Sequence, residues 1–105
     1  MSSVTEAWKA WQEGFANKDS SKLEEFFPDD FQFVGSQGTR IRQETLDWTA
    51  AGGNPTAIDN LEVLYENDDV AVTVHSVNGD GSTVMGLYTK RGDKFSHCRA
   101  VRQAL

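Results

Sequence analysis

The chain has little of several features that mark common functional classes. Its 105 residues include one cysteine, and ten basic residues stand against sixteen acidic ones, for a net charge of −6. A single cysteine excludes an internal disulfide and is typical of a reducing compartment. The negative charge argues against a nucleic-acid-binding surface. No apolar run approaches the roughly 18–20 residues of a membrane span, and no signal peptide is visible. We therefore expect a cytoplasmic protein that binds neither nucleic acid nor membrane.

Cofactor and metal motifs are also missing. No glycine-rich phosphate loop follows a predicted strand, and no cluster of ligands has metal spacing. His97 and Cys98 are neighbours on a predicted strand, so their side chains point to opposite faces, which counts against zinc. The sequence predicts no cofactor and no metal.

The N-terminal half has the pattern of three helices. Ser3-x-x-Glu6 has the form of a capping box and predicts a helix that begins at Val4. Apolar residues at helical spacing follow, up to Phe15. A short helix after residue 20 and a third helix at about 42–51 complete the set, and a short strand between them ends at Gly35.

Residues 61–102 have the pattern of three successive β-hairpins. Turn residues interrupt the apolar runs at Asn67-Asp68, Gly79-Asp80 and Gly92-Asp93. If the loops are tight, each residue has a definite partner on the next strand. The pairs continue from strand to strand and give rows of residues that run across all four strands on one face. The rows predicted for one face are Tyr65-Val70-Thr89-Ser96, Val63-Val72-Leu87-Cys98, Leu61-Val74-Met85-Ala100 and Asp59-Ser76-Thr83-Arg102.

Two of these rows are apolar apart from the thiol, so we predict that this face packs against the helices. The opposite face would carry His75 and His97 in separate rows. Its apolar members would supply an oligomer interface. A bulge of one residue would reverse the assignment and turn His75 inward. The apolar members predicted for that interface are Leu64, Val84, Tyr88 and Val101.

Helices followed by a curled antiparallel sheet make an α+β domain. Four segments have a distinctive pattern: Trp11-x3-Phe15-x3-Asp19, Phe27-Pro28-Asp29-Asp30-Phe31-x-Phe33, residues 66–72 and residues 90–95. Through them the chain resembles the nuclear transport factor 2-like (NTF2-like) superfamily, in particular its small polyketide-cyclase-like (SnoaL-like) branch. The resemblance implies one cone-shaped domain over residues 1–105, with three N-terminal helices on a strongly curved, mainly antiparallel sheet. It also implies a pocket between helices and sheet, and a homodimer through the outer sheet face.

Ketosteroid isomerase, a member of this superfamily, uses a carboxylate base with a tyrosine and a neutral carboxylic acid as oxyanion donors. The resemblance implies that these roles fall at Gly35, at Trp11 and, opposite Cys98, at Leu87. None of the three has the required group, although the Trp11 indole has an N–H that can donate. We expect no isomerase mechanism of that kind.

The polar row at the end of the predicted inner face is the main candidate for function. Arg102 would select a carboxylate, phosphate or enolate oxygen, because its guanidinium binds two such atoms. Asp59 is a candidate general base if partial burial raises its pKa. The alternative is that this row is the solvated edge of the sheet.

Together these features predict a homodimeric domain that binds a small, mostly apolar molecule with one polar end. If it catalyses a reaction, proton transfer or hydration and elimination are favoured. The alternative is a non-catalytic dimerisation or stress-associated module whose pocket is filled core. The residues predicted to bind the ligand are Trp11, Phe15, Phe33, Trp48, Val72, Met85, Leu87, Ala100 and Arg102.

Overall fold

The computed structural model describes residues 3–35, 38–52, 58–77 and 81–103. Within these ranges, two α-helices and one 3₁₀ turn pack on a six-stranded sheet. The elements are α1 (Val4–Asn17), the 3₁₀ turn (Leu23–Phe26), β1 (Gln32–Gly35), β2 (Gly38–Ile41), α2 (Arg42–Ala50), β3 (Ile58–Glu66), β4 (Val70–Val77), β5 (Thr83–Arg91) and β6 (Lys94–Gln103).

Helix α1 begins where the capping box predicts. The Ser3 hydroxyl accepts a hydrogen bond from the Glu6 backbone N–H, and the Glu6 carboxylate accepts one from the Ser3 N–H. The apolar stripe of the helix is buried, including Trp8 and Trp11. The second predicted helix is only the 3₁₀ turn, whose Leu23 is buried in the core.

The strands are arranged in the order β2-β1-β6-β5-β4-β3. All neighbours are antiparallel except β1 and β6, which run parallel. The prediction of an α+β domain with helices on a mainly antiparallel sheet is confirmed. Strand β2 was not expected, because the segment before α2 has no alternating apolar pattern.

One of the three predicted registers is fully confirmed. Strands β4 and β5 pair from Val70 opposite Thr89 to Ser76 opposite Thr83. The turn predicted at Gly79-Asp80 lies outside the described residues. The other two hairpins contain bulges: β3 slips against β4 at two places, and β5 slips against β6 after Thr89. A bulge adds an unpaired residue to one strand, so it shifts every pairing beyond it.

The predicted choice of inner face is wrong for β4 and β5. Met85 and Leu87 are 50% and 37% exposed, whereas Tyr88 is 4% exposed. Val72 pairs with Leu87 and shares its face. Several inner positions are instead small or polar, such as Ala71, Thr73 and Gly86, so the inner face of these strands is less apolar than the outer one. Counting apolar residues therefore selected the outer face.

Candidate functional site

A cavity with a volume of about 380 Å³ lies between the helices and the inner face of the sheet. Its wall contains six of the nine residues predicted to bind a ligand, namely Trp11, Phe15, Phe33, Trp48, Ala100 and Arg102. The sequence argument missed the other described wall residues: Trp8, Gly35, Gly38, Thr39, Arg40, Ile58, His75, Val77, Val84, Gly86, Tyr88 and Cys98.

The other three predicted binding residues do not line the cavity. Val72, Met85 and Leu87 lie on the outer face of the sheet, because the predicted choice of inner face is wrong for β4 and β5. Asp59, the candidate base, is exposed and also lies outside the wall. Its carboxylate accepts a hydrogen bond from the Asn60 backbone N–H at 2.8 Å, which is a local contact.

Aromatic rings form one side of the cavity. The Trp11 ring meets Phe33 and Trp48 edge to face, with ring centroids 5.7 and 6.4 Å apart. Phe15 meets Trp48 in the same way at 5.0 Å. Edge-to-face pairs of this kind hold rings in definite orientations. The apolar side of the cavity is therefore a surface of mutually packed aromatic rings.

Gly86 provides space on the sheet side of the cavity. A Cβ atom there would lie 3.1 Å from the Tyr88 ring and 3.2 Å from the Thr73 hydroxyl oxygen, which is tighter than an ordinary contact. The missing side chain leaves room both for the Tyr88 ring and for the cavity. A glycine inside a strand commonly marks such a close approach.

Arg40 lies over the aromatic side of the cavity. Its guanidinium carbon is 4.7 Å from the centre of the Trp48 ring and 5.8 Å from that of Phe33. Arginine stacked on aromatic faces gains a cation–π attraction and keeps its charge. Arg40 comes from β2, the strand that was not expected, and the sequence argument assigned it no role in the site.

His75, which is half-buried, and the buried Trp8 form a pair in the wall. The Trp8 indole N–H donates to His75 Nδ1 at 3.2 Å, and the two rings meet edge to face. Because an indole N–H can only donate, Nδ1 must accept, and the hydrogen of the neutral imidazole is on Nε2. Burial lowers the pKa of His75 to about 4. His75 is thus a neutral hydrogen-bond donor through Nε2 at ordinary pH.

The Trp11 indole N–H is buried and has no hydrogen-bond acceptor among the described residues. Trp11 is 4% exposed, so its N–H is shielded from bulk solvent. A buried polar group without a partner costs free energy and requires an explanation.

Tyr88 and Cys98 face each other across β5 and β6, and both line the cavity. Burial raises the pKa of the Tyr88 hydroxyl well above its ordinary value and that of the Cys98 thiol to about 12. Both groups are therefore neutral. The bulge also corrects the expected pairing, since Cys98 faces Tyr88 and not Leu87.

Arg102 lies near the end of the sheet, where its Nε donates to the Ser82 hydroxyl at 2.8 Å. Within the described part of the chain, no three His, Cys, Asp or Glu side chains converge in a way that would hold a metal ion. None of the described helices is both long and apolar enough to cross a membrane.

No protein-family model and no curated protein matches the sequence. Solved structures do match. An NTF2-like protein from Anabaena variabilis has a TM-score of 0.77 at 16% identity, over 97% of this chain and 87% of that one. An NTF2-like protein of unknown function from Cytophaga hutchinsonii has a TM-score of 0.66 at 11% identity, over 98% and 92%.

A third structure, from Catenulispora acidiphila, has a ketosteroid isomerase-like fold and is in complex with trimethylamine. Its TM-score is 0.63 at 17% identity, over 90% of this chain and 83% of that one. At these identities the similarity establishes the fold. The chain has the NTF2-like fold that the resemblance implied, and the SnoaL-like branch stays a prediction.

Proposed function

We propose that this protein binds a small, mostly apolar molecule with one polar end in the cavity between helices and sheet. The observation that carries the proposal is the buried Trp11 N–H, which has no acceptor among the described residues, in the wall of an aromatic cavity. Ligand sites typically combine apolar walls with a few well-placed polar groups in about 300–1,000 Å³. A ligand oxygen would supply the missing acceptor.

The groups in the cavity wall are better suited to binding a ligand than to catalysing a reaction of it. The described part of its wall has no carboxylate, and His75, with a pKa of about 4, is a poor base at neutral pH. The alternative of a module with filled core is less well supported, since a cavity of about 380 Å³ is present. The fold itself supports either, because it does not determine function.

Filling the cavity tests the proposal directly. Ala100→Phe, on the inner face, is expected to weaken binding of naphthalene-2-methanol about tenfold or more, because the new ring occupies the ligand's space. Binding is measured by the quenching of tryptophan fluorescence, since all three tryptophans of the chain line the cavity.

The matched control is Val101→Phe, one residue further along β6, where the side chain is 69% exposed. It is expected to bind the probe as the parent protein does. Equal affinity in both variants would place the probe elsewhere and refute the proposal. Thermal unfolding of both variants shows whether each is folded.

We also propose that the protein is a homodimer through the outer sheet face. Two neighbouring rows of apolar side chains on the outer face of the sheet support this, because contiguous exposed apolar surface usually marks an interface. The predicted interface needs correction: Leu64 and Val101 are exposed, but Val84 and Tyr88 line the cavity. The outer patch consists of Tyr65, Val72, Val74, Met85, Leu87 and Val101.

Met85→Glu is expected to raise the dimer dissociation constant at least tenfold, or about 1.4 kcal/mol, because association would bury an unpaired carboxylate. Sedimentation velocity over a concentration series measures it. Ala16→Glu, which adds the same charge on the exposed side of α1, should leave the dimer intact. A parent protein that stays monomeric throughout the series would refute the interface.

We place this activity in a single domain of residues 1–105 in the cytoplasm. The support for the cytoplasm is that the chain has one cysteine and so no internal disulfide, a composition typical of reducing compartments.

A further inference from the structure

We infer that the polar end of the ligand is a carboxylate, held by the Trp11 N–H, the His75 Nε2–H and the Arg40 guanidinium. This inference rests on the proposed binding function and specifies the chemical class of the ligand. It follows from the polar groups of the cavity wall, which point to an acceptor with negative charge.

The first donor is the Trp11 indole. Its N–H has no acceptor among the described residues, and its ring packs edge to face against Phe33 and Trp48. An indole N–H can donate but never accept, so a ligand atom that satisfies it must be an acceptor.

The second donor is His75. Its Nδ1 is occupied by the Trp8 N–H, so the available nitrogen is Nε2, which carries the hydrogen. Nε2 forms no hydrogen bond with a described residue. Trp8 thereby selects the tautomer that presents a donor, as an orienting partner does for histidines in many sites.

The third group supplies charge. Arg40 stacks on Trp48 and Phe33 and lines the cavity, and it makes no ion pair with a described residue. Arg102 is a second cation in the wall, whereas the described wall contains no carboxylate. The Arg40 guanidinium, held on the aromatic rings beside a described wall that contains no carboxylate, favours an anion and disfavours a cation.

A carboxylate fits this set better than a phosphate ester. A monoanion costs less to remove from water than a dianion, and most of the wall is apolar. A carboxylate also has two oxygens that accept the neutral donors and the guanidinium together.

Three probes that share the naphthalene ring test the inference: naphthalene-2-carboxylate, naphthalene-2-carboxamide and 2-naphthylmethylammonium. We expect the carboxylate to bind about tenfold more tightly than the carboxamide, because charge-assisted hydrogen bonds are about twice as strong as neutral ones. The ammonium probe should bind least. Titrations at pH 7 follow tryptophan fluorescence and the indole ¹H–¹⁵N signals.

The indole signals give an independent readout. The Trp11 signal, assigned with Trp11→Phe, should move downfield on saturation with the carboxylate and move less with the carboxamide. The Trp8 signal should move less than that of Trp11, since its N–H is already bonded to His75.

Arg40→Gln should reduce carboxylate affinity about fivefold to tenfold and change carboxamide affinity less than twofold. Arg99→Gln, which removes the same charge at an exposed site outside the wall, should change neither. The comparison of probes on the parent protein does not depend on how either variant folds.

The possible failures are distinguishable. If the carboxamide or the ammonium probe binds as tightly as the carboxylate, the inference is overturned and the proposed binding function stands. If none of the three probes perturbs the indole signals, the proposed function falls and the inference falls with it. An unchanged carboxylate preference in Arg40→Gln removes Arg40 from the site.

Discussion

Tyr88→Ala is expected to lower the free energy of unfolding by about 3–5 kcal/mol, the range for truncating a buried aromatic residue. The Tyr88 ring is 4% exposed and meets Phe95 edge to face at 5.9 Å. Its removal enlarges a space that the chain already leaves open, so the neighbouring side chains lose their contacts without replacement. Urea unfolding followed by circular dichroism measures the change.

Leu87→Ala is the matched control, one residue earlier on the same strand. Leu87 is 37% exposed, so its loss should cost about 1 kcal/mol or less. Unfolding at two protein concentrations separates any contribution from association. A larger loss in Leu87→Ala than in Tyr88→Ala would mean that the inner and outer faces of the sheet have been interchanged.

The second large effect is a fall in stability as the pH drops from 6.5 to 4. Burial lowers the pKa of His75 from 6.5 to about 4, so in this window the unfolded chain binds a proton that the folded chain does not. The contribution of His75 is complete above pH 6.5 and is lost as the pH falls toward 4. After allowance for the partial exposure of the ring, we expect about 2 kcal/mol.

His75→Gln should remove this part of the pH dependence. The glutamine amide oxygen can still accept from Trp8, but no group titrates at that position. His97→Gln is the control and should leave the dependence in place, because His75 is still present. Stability curves at pH 7.5, 6, 5 and 4 measure the difference. Parallel curves for the parent and His75→Gln would contradict the assigned pKa.

Much of the fold could be predicted because it depends on local signals. The capping box at Ser3 and Glu6 starts α1 through hydrogen bonds within one helical turn. The pairing of β4 with β5 follows from the position of its turn. The aromatic residues Trp11, Phe15 and Trp48 line the cavity, because residues on the buried side of helices have one place to pack.

The rest of the site depends on contacts between distant residues. His75 enters the wall because Trp8, 67 positions earlier, packs against it and donates to it. Arg40 reaches the cavity through a strand that has no apolar alternation. The residues next to His75 and Arg40 in the sequence give no sign of the distant contacts that place them in the wall. Local patterns therefore could not identify either residue as part of the site.

The sequence by itself determined the α+β class, the order of the main elements and the aromatic side of the cavity, because helix caps, turns and apolar spacing act over a few residues. Only the tertiary structure decided which face of the sheet lies inside. The pairing of β4 with β5 is the same whichever face lies inside, so contacts between distant residues selected the face, as where Trp8 packs on His75 and Phe95 packs on Tyr88. Those contacts placed Tyr88, Gly86 and His75 in the wall and left Met85 and Leu87 outside.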